Sequence, residues 1–232
     1  MTPQIIIPAR LGSRRLPEKM LIEIEGKPLI WWTVKAAQLT RLPVMVATDS
    51  RRIADAVPCS VVLTGQCLNG TERCIEAAKR RFPDDPPMII NWQGDSPTTR
   101  ASWVHQLIEG MDQTPHSVGT LYQQVDRLAL DGEVWTNYDT HAKTASFDRV
   151  ARGRPLTKRH IGVYAIKPEA FDLYGRVPAP RELQSQLEQK RWIDRGVAVA
   201  AFEVEGDVAI EINTDLDIGL FKTWLESTRE TM

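Results

Sequence analysis

Short apolar runs alternate with amphipathic stretches along the first hundred residues. QIII at 4–7 is mostly β-branched and stops at Pro8, the pattern of a buried strand feeding a loop. A second apolar piece covers 20–24. After the turn EGKP at 25–28, residues 29–39 carry apolar positions at helical spacing. PVMVAT at 43–48 reads as a strand, 51–57 as a short helix, 60–63 as a strand and 71–81 as a helix. MIINW at 88–92 is a strand that stops at Gln93-Gly94-Asp95. Beyond residue 100 the pattern loosens. Residues 102–111 read as a helix, 116–123 as a strand, 160–166 as a strand, 179–195 as a helix, 197–204 as a strand and 216–228 as a closing helix, while 134–149 fits no single period.

Strands alternating with helices through brief loops predict βαβ units and a largely parallel sheet. Such sheets take ligands in the crevice beyond the carboxyl ends of their strands. The polar clusters at 8–19, 47–50 and 93–95 each follow a predicted strand and are expected to converge on one site. No repeat, low-complexity stretch or linker divides the chain. We therefore read 1–232 as one domain, with about 120–195 partly forming a lobe over the sheet edge.

Composition narrows the function. Hydrophobic residues make up 42% and charged residues 25%, an ordinary globular balance. The formal net charge of −1 provides no basic field to hold nucleic acid or an anionic membrane. Any anionic substrate must then be met by locally clustered Arg and Lys. Cys59, Cys67 and Cys74 form no pairing framework and lack CxxC spacing, as expected of reduced thiols in a cytoplasmic protein. The apolar run in MTPQIIIPAR is too short for a signal peptide, and no segment approaches the ~20 apolar residues of a membrane span.

The segment PARLGSRRLPEK at 8–19 carries Arg10, Arg14, Arg15 and Lys19 together with Gly12 and Ser13. A triphosphate, with about four negative charges, needs such cations and free backbone N–H groups between strand and helix. Arg offers a planar fork and Lys a mobile point charge. No GxxxxGK[ST] string is present, which excludes a P-loop enzyme. Asp95, just beyond a strand, can hold Mg²⁺. Its competing role is to cap a helix begun by Ser96-Pro97.

The strings PARLGSRRLPEK, GKPLI, ATD, NGTER, NWQGDSP and HIGVYA occur in that order. They resemble the 3-deoxy-manno-octulosonate (KDO) cytidylyltransferases, whose strings read PARxxSxRLPGKPL, GKPMI, ATD, SGTER, NVQGDEP and HLGIYxY. The resemblance spans the chain and is most specific in its first hundred residues. It implies a Rossmann-like three-layer α/β nucleotidyltransferase fold, mostly parallel, with a small lobe from the second half. It further implies transfer of CMP from CTP, with Mg²⁺, to KDO or a related acidic acceptor, and a homodimer. Carried over residue by residue, Arg10, Arg15, Lys19 and Asp95 would be catalytic. Pro8, Ala9, Gly12 and Ser13 would join those cations around the triphosphate. Ala47, Thr48, Asp49, Gly70, Thr71 and Arg73 would surround the nucleotide. Gln93, Arg73, His160 and Glu182 would face the acceptor, and Asp95 with Asn213 would hold the metal.

The chain also departs from the family. Glu18 replaces a glycine beside the triphosphate loop. In EINTDLD at 211–217, Asn213 stands where the family's GVDTPEDL has its metal-binding Asp, so that Glu211 or Asp215 is left to compensate. Equally, Asn213 to Asp217 can simply cap the last helix. Ser185 replaces a glutamate, Trp135 a lysine, and the connection from Arg149 to His160 is shorter than the family's. Arg149, Arg152, Arg154, Lys158 and Arg159 form a new basic cluster there, either an anion site or a solvated linker. Trp192 and Ile193 are candidate interface residues. Two further readings stay open. One is a cytidylyltransferase for a small phosphonate such as phosphonoformate, whose enzymes look similar. The other is a non-catalytic nucleotide-binding paralogue, suggested by Glu18 and Asn213.

Overall fold

The computed structural model describes residues 2–13, 16–129, 133–139 and 144–229. A strand that is apolar on both faces belongs inside a sheet with both faces covered. β1 (Gln4–Ala9) meets that condition, being buried at every position. Its side chains alternate between two cores: Ile5 and Ile7 pack in one apolar cluster and Ile6 in another. Three layers follow from that alternation.

A short ribbon, β2 (Glu23–Ile24) and β3 (Lys27–Pro28), leads into α1 (Leu29–Gln38). α1 turns Leu29, Ile30, Thr33, Val34 and Ala37 inward, and ends before Arg41, whose φ of 59° lies in the left-handed region. β4 (Val44–Thr48) runs parallel to β1, α2 (Arg51–Ala54) is a single turn, and β5 (Ser60–Leu63) extends the parallel block. α3 (Gly70–Arg81) is started by Asn69, whose side chain accepts from Glu72 N at 2.9 Å, while Glu72 Oε2 accepts from Leu68 N at 3.2 Å. Asn69, rather than Thr71, therefore caps this helix. β6 (Ile89–Trp92) pairs in parallel with the other edge of β1.

Beyond α4 (Ala101–Asp112) the sheet turns mixed. β7 (Val118–Leu128) and β10 (Pro155–Ile166) are antiparallel neighbours, and β10 also runs antiparallel to β6. The region 134–149, ambiguous by period, forms the hairpin β8 (Val134–Asp139) and β9 (Thr144–Arg149), attached to β10 where Arg159 faces Trp135. β11 (Val199–Glu203) lies parallel to β7, giving the order β11-β7-β10-β6-β1-β4-β5. α1 and α4 cover one face; α3, α5 (Glu169–Tyr174) and α7 (Lys190–Asp194) cover the other. This is the Rossmann-like three-layer architecture expected, mostly parallel with an antiparallel flank.

The predicted helix 179–195 is instead two helices, α6 (Pro180–Ser185) and α7, separated by Gln186 in a left-handed conformation with φ of 55°. The break turns Leu187, Glu188 and Gln189 inward. Trp192 is fully buried against Tyr174, so it belongs to the core and offers nothing to a second copy. α8 (Asp215–Arg229) closes the chain, packing Phe221 and Leu225 against Ile24 and Leu29. Among the described residues no helix is long and apolar enough to cross a membrane.

Close packing at the end of β6 has a testable cost. A Cβ on Gly94 would lie 2.9 Å from the Pro8 carbonyl oxygen and 3.0 Å from Met20 Sδ. Gly94→Ala should therefore lower stability by about 1–3 kcal/mol in chemical denaturation. An unchanged midpoint would show that the loop has room to give.

Candidate active site

β1 and β6 are parallel neighbours, so their carboxyl ends release residues 8–13 and 93–95 side by side. A cleft of about 1460 Å³ opens there. Pro8, Ala9, Arg10, Gly12, Ser13 and Lys19 line it from the first loop, Gly70 and Arg73 from α3, and Gln93 and Asp95 from the end of β6. Arg10 is exposed, and Ser13 Oγ accepts from Leu16 N at 3.4 Å. Arg14 and Arg15 lie outside the described residues.

Lys19 reaches the floor of this cleft, and only 7% of it is exposed. Its Nζ donates to Asp95 Oδ2 at 2.5 Å and to Asn213 Oδ1 at 3.1 Å. The two side chains expected to hold a metal thus already converge on one positive centre. Ile212 N donates to Asp95 O at 2.8 Å, which holds the run 211–213 beside Asp95. The next residues do cap α8. Asp217 Oδ2 accepts from the backbone N of Asn213 and Thr214 at 2.9 and 2.8 Å, and Thr214 Oγ1 accepts from Asp217 N at 3.4 Å. Capping therefore uses Thr214 and Asp217 and leaves the Asn213 amide facing Lys19. Asp215 is exposed and does not line the cleft, whereas Glu211 does. Burial raises the Glu211 carboxyl above its ordinary range; Arg159 opposes the shift, Asp95 adds to it and Lys19 opposes it. Glu18 points away from the cleft and forms a forked ion pair with Arg52.

The nucleotide-side expectations divide. Gly70 packs tightly, a Cβ there lying 3.1 Å from both Gln93 Oε1 and Pro8 Cγ. Arg73 is 2% exposed and lines the cleft, but its fork is held by Asp49 Oδ2 at 2.7 Å and Thr64 Oγ1 at 2.5 Å. Ala47, Thr48 and Thr71 are buried and, like Asp49, do not line the cleft. Thr71 N donates to Glu188 Oε2 at 3.1 Å, and its hydroxyl accepts from Asn91 Nδ2 at 3.0 Å. Gln93 Nε2 joins the same network by donating to Glu188 Oε1 at 3.2 Å.

The part of the cleft expected to face the acceptor is denser in charge than the sequence suggested. Glu182 lines the cleft yet is held by Arg191 through two contacts of 2.6 Å, and it also accepts from Asn69 Nδ2 at 2.9 Å. His160 is 7% exposed, with Nε2 at 3.0 Å from Thr120 Oγ1 and its ring edge-on to Phe147. Burial, aided by the Arg159 charge, lowers its pKa to about 3, so the ring is neutral at physiological pH. Arg149, Arg152 and Arg159 of the basic cluster reach the cleft; Arg154 and Lys158 do not. Arg159 sits 3.0 Å from Glu133 and donates to Ala209 O at 2.7 Å, and Glu133 also pairs with Arg127 at 2.5 Å. Sequence reasoning missed Arg127, Glu133, Asn69 and Arg191. An Asn followed three residues later by Glu marks a helix start, so Asn69 was findable. Arg127 becomes visible only once β7 is laid antiparallel to β10.

Fold and cleft together define a nucleotidyltransferase: a three-layer sheet whose loops after β1 and β6 carry a lysine and a carboxylate at the floor of one large cleft. The family model for cytidylyltransferases matches residues 4–198, and the chain belongs to that family. It is 35% identical to a 3-deoxy-manno-octulosonate cytidylyltransferase of Methylococcus capsulatus, over 92% of this chain and 93% of that one. It is 33% identical to an 8-amino-3,8-dideoxy-manno-octulosonate cytidylyltransferase of a Shewanella species, over 94% and 96%. A solved CMP:2-keto-3-deoxy-manno-octonic acid synthetase complexed with CTP superimposes with a TM-score of 0.85 at 28% identity, covering 98% of this chain and all of that one.

The depressed His160 pKa has a consequence for stability. The folded value of about 3 lies below the ordinary 6.5, so on acidification the unfolded chain takes up this proton first. Its contribution is present above about pH 6.5 and is lost as pH falls toward 3. His160→Gln should reduce the slope of unfolding free energy between those limits by up to about 1.4 kcal/mol per pH unit. Urea denaturation across that range measures it, and a slope equal to the parent's would refute the neutral ring.

Proposed function

We propose that this cytidylyltransferase moves CMP from CTP onto an acidic 2-keto sugar, KDO or a close relative. The observation that carries the reading is Lys19 held between Asp95 and Asn213 at the floor of a cleft whose far wall bears Arg149, Arg152 and Arg159. The triphosphate lies along residues 8–13, where Arg10 and backbone N–H groups face it. The acceptor lies toward His160 and the arginine wall. An acceptor hydroxyl oxygen attacks the α-phosphorus; the P–O bond to pyrophosphate breaks in line, and the hydroxyl proton leaves to solvent. Lys19 and Arg10 meet the charge that grows on the departing pyrophosphate, so the protein acts by positioning and electrostatics.

The donors at the floor suit a hard divalent cation: a carboxylate and an amide oxygen converge on one positive centre, and substrate phosphates can complete the shell. Mg²⁺ bound there would neutralise phosphate charge and hold the reacting groups in line. His160 is neutral and anchored on Thr120, so it shapes the acceptor pocket without supplying a charge. Glu182 orders α6 and α7 through Arg191 and stands as wall rather than as a free acceptor ligand.

One observation favours a second reading. The short β9–β10 connection draws Arg149 and Arg152 to the cleft, which suits a compact and more highly charged acid such as phosphonoformate. Pyrophosphate release with CTP and a panel of KDO, 8-amino-KDO and phosphonoformate decides between them. KDO-type turnover is expected; turnover with phosphonoformate alone would overturn the first choice. Tight CTP binding without turnover on any acid would instead mark a nucleotide-binding paralogue. In the same assay Lys19→Ala should cost about a hundredfold or more in kcat. Asp95→Asn should abolish Mg²⁺-dependent turnover, and full activity in that variant would refute its metal role.

A further inference from the structure

Asn213 leaves the cation site at Asp95 short of a negative charge. Three carboxylates follow residue 210 closely enough to make up the difference, and the structure separates them. Asp217 is committed to the α8 cap through three hydrogen bonds of 2.8–2.9 Å. Asp215 is exposed at the first position of α8 and lies off the cleft. Glu211 remains. The run 211–213 is held beside Asp95 by the bond from Ile212 N to Asp95 O. Ile212 turns into the core at 0% exposure, while Glu211 and Asn213 both turn into the cleft.

From these placements we infer that Glu211 supplies the second carboxylate of the metal site, taking over the charge that Asn213 does not carry. The inference rests on the reading of Asp95 as a metal ligand. The nearest cation to Glu211, Arg159, does not occupy it. Nη2 is 3.8 Å from Glu211 Oε1, beyond hydrogen-bond range, and Arg159 already holds Glu133 at 3.0 Å and Ala209 O at 2.7 Å. The Glu211 side chain is 34% exposed, against 7% for Arg159 and 9% for Glu133. Glu211 lines the cleft, where a divalent cation brought in with the nucleotide would meet its carboxylate. Lys19, now bridging Asp95 and Asn213, is released by that cation to the phosphates. The charge count at the site is then two carboxylates and one amide, with the carboxylates on residues 95 and 211.

The test is Mn²⁺ binding to the protein–CTP complex without acceptor, read by water-proton relaxation with protein in excess over CTP so that no free nucleotide holds the ion. Glu211→Gln, a near-isosteric change on a side chain that lines the cleft, should weaken Mn²⁺ about tenfold or more. Adding Asn213→Asp in the Glu211→Gln background should restore affinity to within about threefold, because it returns the missing charge to the same centre. Unchanged affinity in Glu211→Gln, with Asp95→Asn still abolishing binding, overturns this inference alone. A loss that Asn213→Asp fails to reverse also overturns it, since the defect is then not one of charge. If Asp95→Asn itself leaves Mn²⁺ bound, the underlying metal reading fails instead.

Discussion

One ammonium group ties together three parts of the chain that lie far apart in sequence. Lys19 comes from the loop after β1, Asp95 from the loop after β6 and Asn213 from the approach to α8, and all three meet at one nitrogen. A nearly buried ammonium without partners would be costly, so the oxygens of Asp95 and Asn213 stabilise it where it is. The reverse also holds: the cation keeps two electron-rich side chains facing each other across the cleft floor. Around this point Thr33 Oγ1 donates to Gly94 O at 2.8 Å and Ile212 N donates to Asp95 O at 2.8 Å. The floor is therefore pre-organised by backbone as well as by charge, and a triphosphate entering it finds its cation already placed.

The two walls of the cleft are built differently. On the nucleotide side, strand ends expose backbone, and tight contacts at Gly70 and Gly94 let β1, α3 and the 93–95 loop approach closely. The wall around Arg159 and Glu182, where the acceptor is proposed to lie, is a set of mutually satisfied charges. Arg127, Glu133 and Arg159 form one chain, and Glu182 and Arg191 another that reaches Glu72 at 3.6 Å. Buried pairs of this kind add little net stability, but removing one partner strands the other charge, so they hold the wall in one geometry. Arg127 and Arg159 direct donors at protein oxygens, and the arginine count at the wall overstates the charge on offer to a substrate.

What the sequence disclosed follows from how local each feature is. β1, β5 and β6 could be read directly because their apolar runs are continuous and end in polar loops. The break between α6 and α7 could not. It depends on Glu188 reaching Thr71 N, 117 residues away, and no local period records that. The site shows the same division. Residues immediately after a strand, such as Arg10, Gly12, Gln93 and Asp95, do line the cleft. The cluster 47–50, expected there for the same reason, does not line it: Ala47 and Thr48 are consumed by the β4 ladder, and Asp49 pairs with Arg73. Glu182 was expected from the resemblance and does line the cleft, but its partner Arg191 was not legible, because the pairing crosses the unforeseen break.

The departures at Glu18 and Asn213 bear on the same group from opposite sides. Glu18 holds a left-handed conformation with φ of 49°, where a glycine would be unstrained and a glutamate costs about 1 kcal/mol or more. Its pairing with Arg52 is fully exposed and offsets little of that. The conformation persists because the turn around it is hydrogen-bonded: Lys19 N donates to Leu16 O at 3.2 Å and Leu21 N to Glu18 O at 2.8 Å. That turn is what aims Lys19 at Asp95. The loop thus keeps its shape to place the ammonium, at some cost to residue 18, and the far side keeps an oxygen toward it at residue 213 after losing a charge. A site that had lost its chemistry would have no reason to keep residue 18 strained and an oxygen of residue 213 aimed at the same ammonium. The retained geometry at Lys19 is the physical ground for reading the chain as a working enzyme.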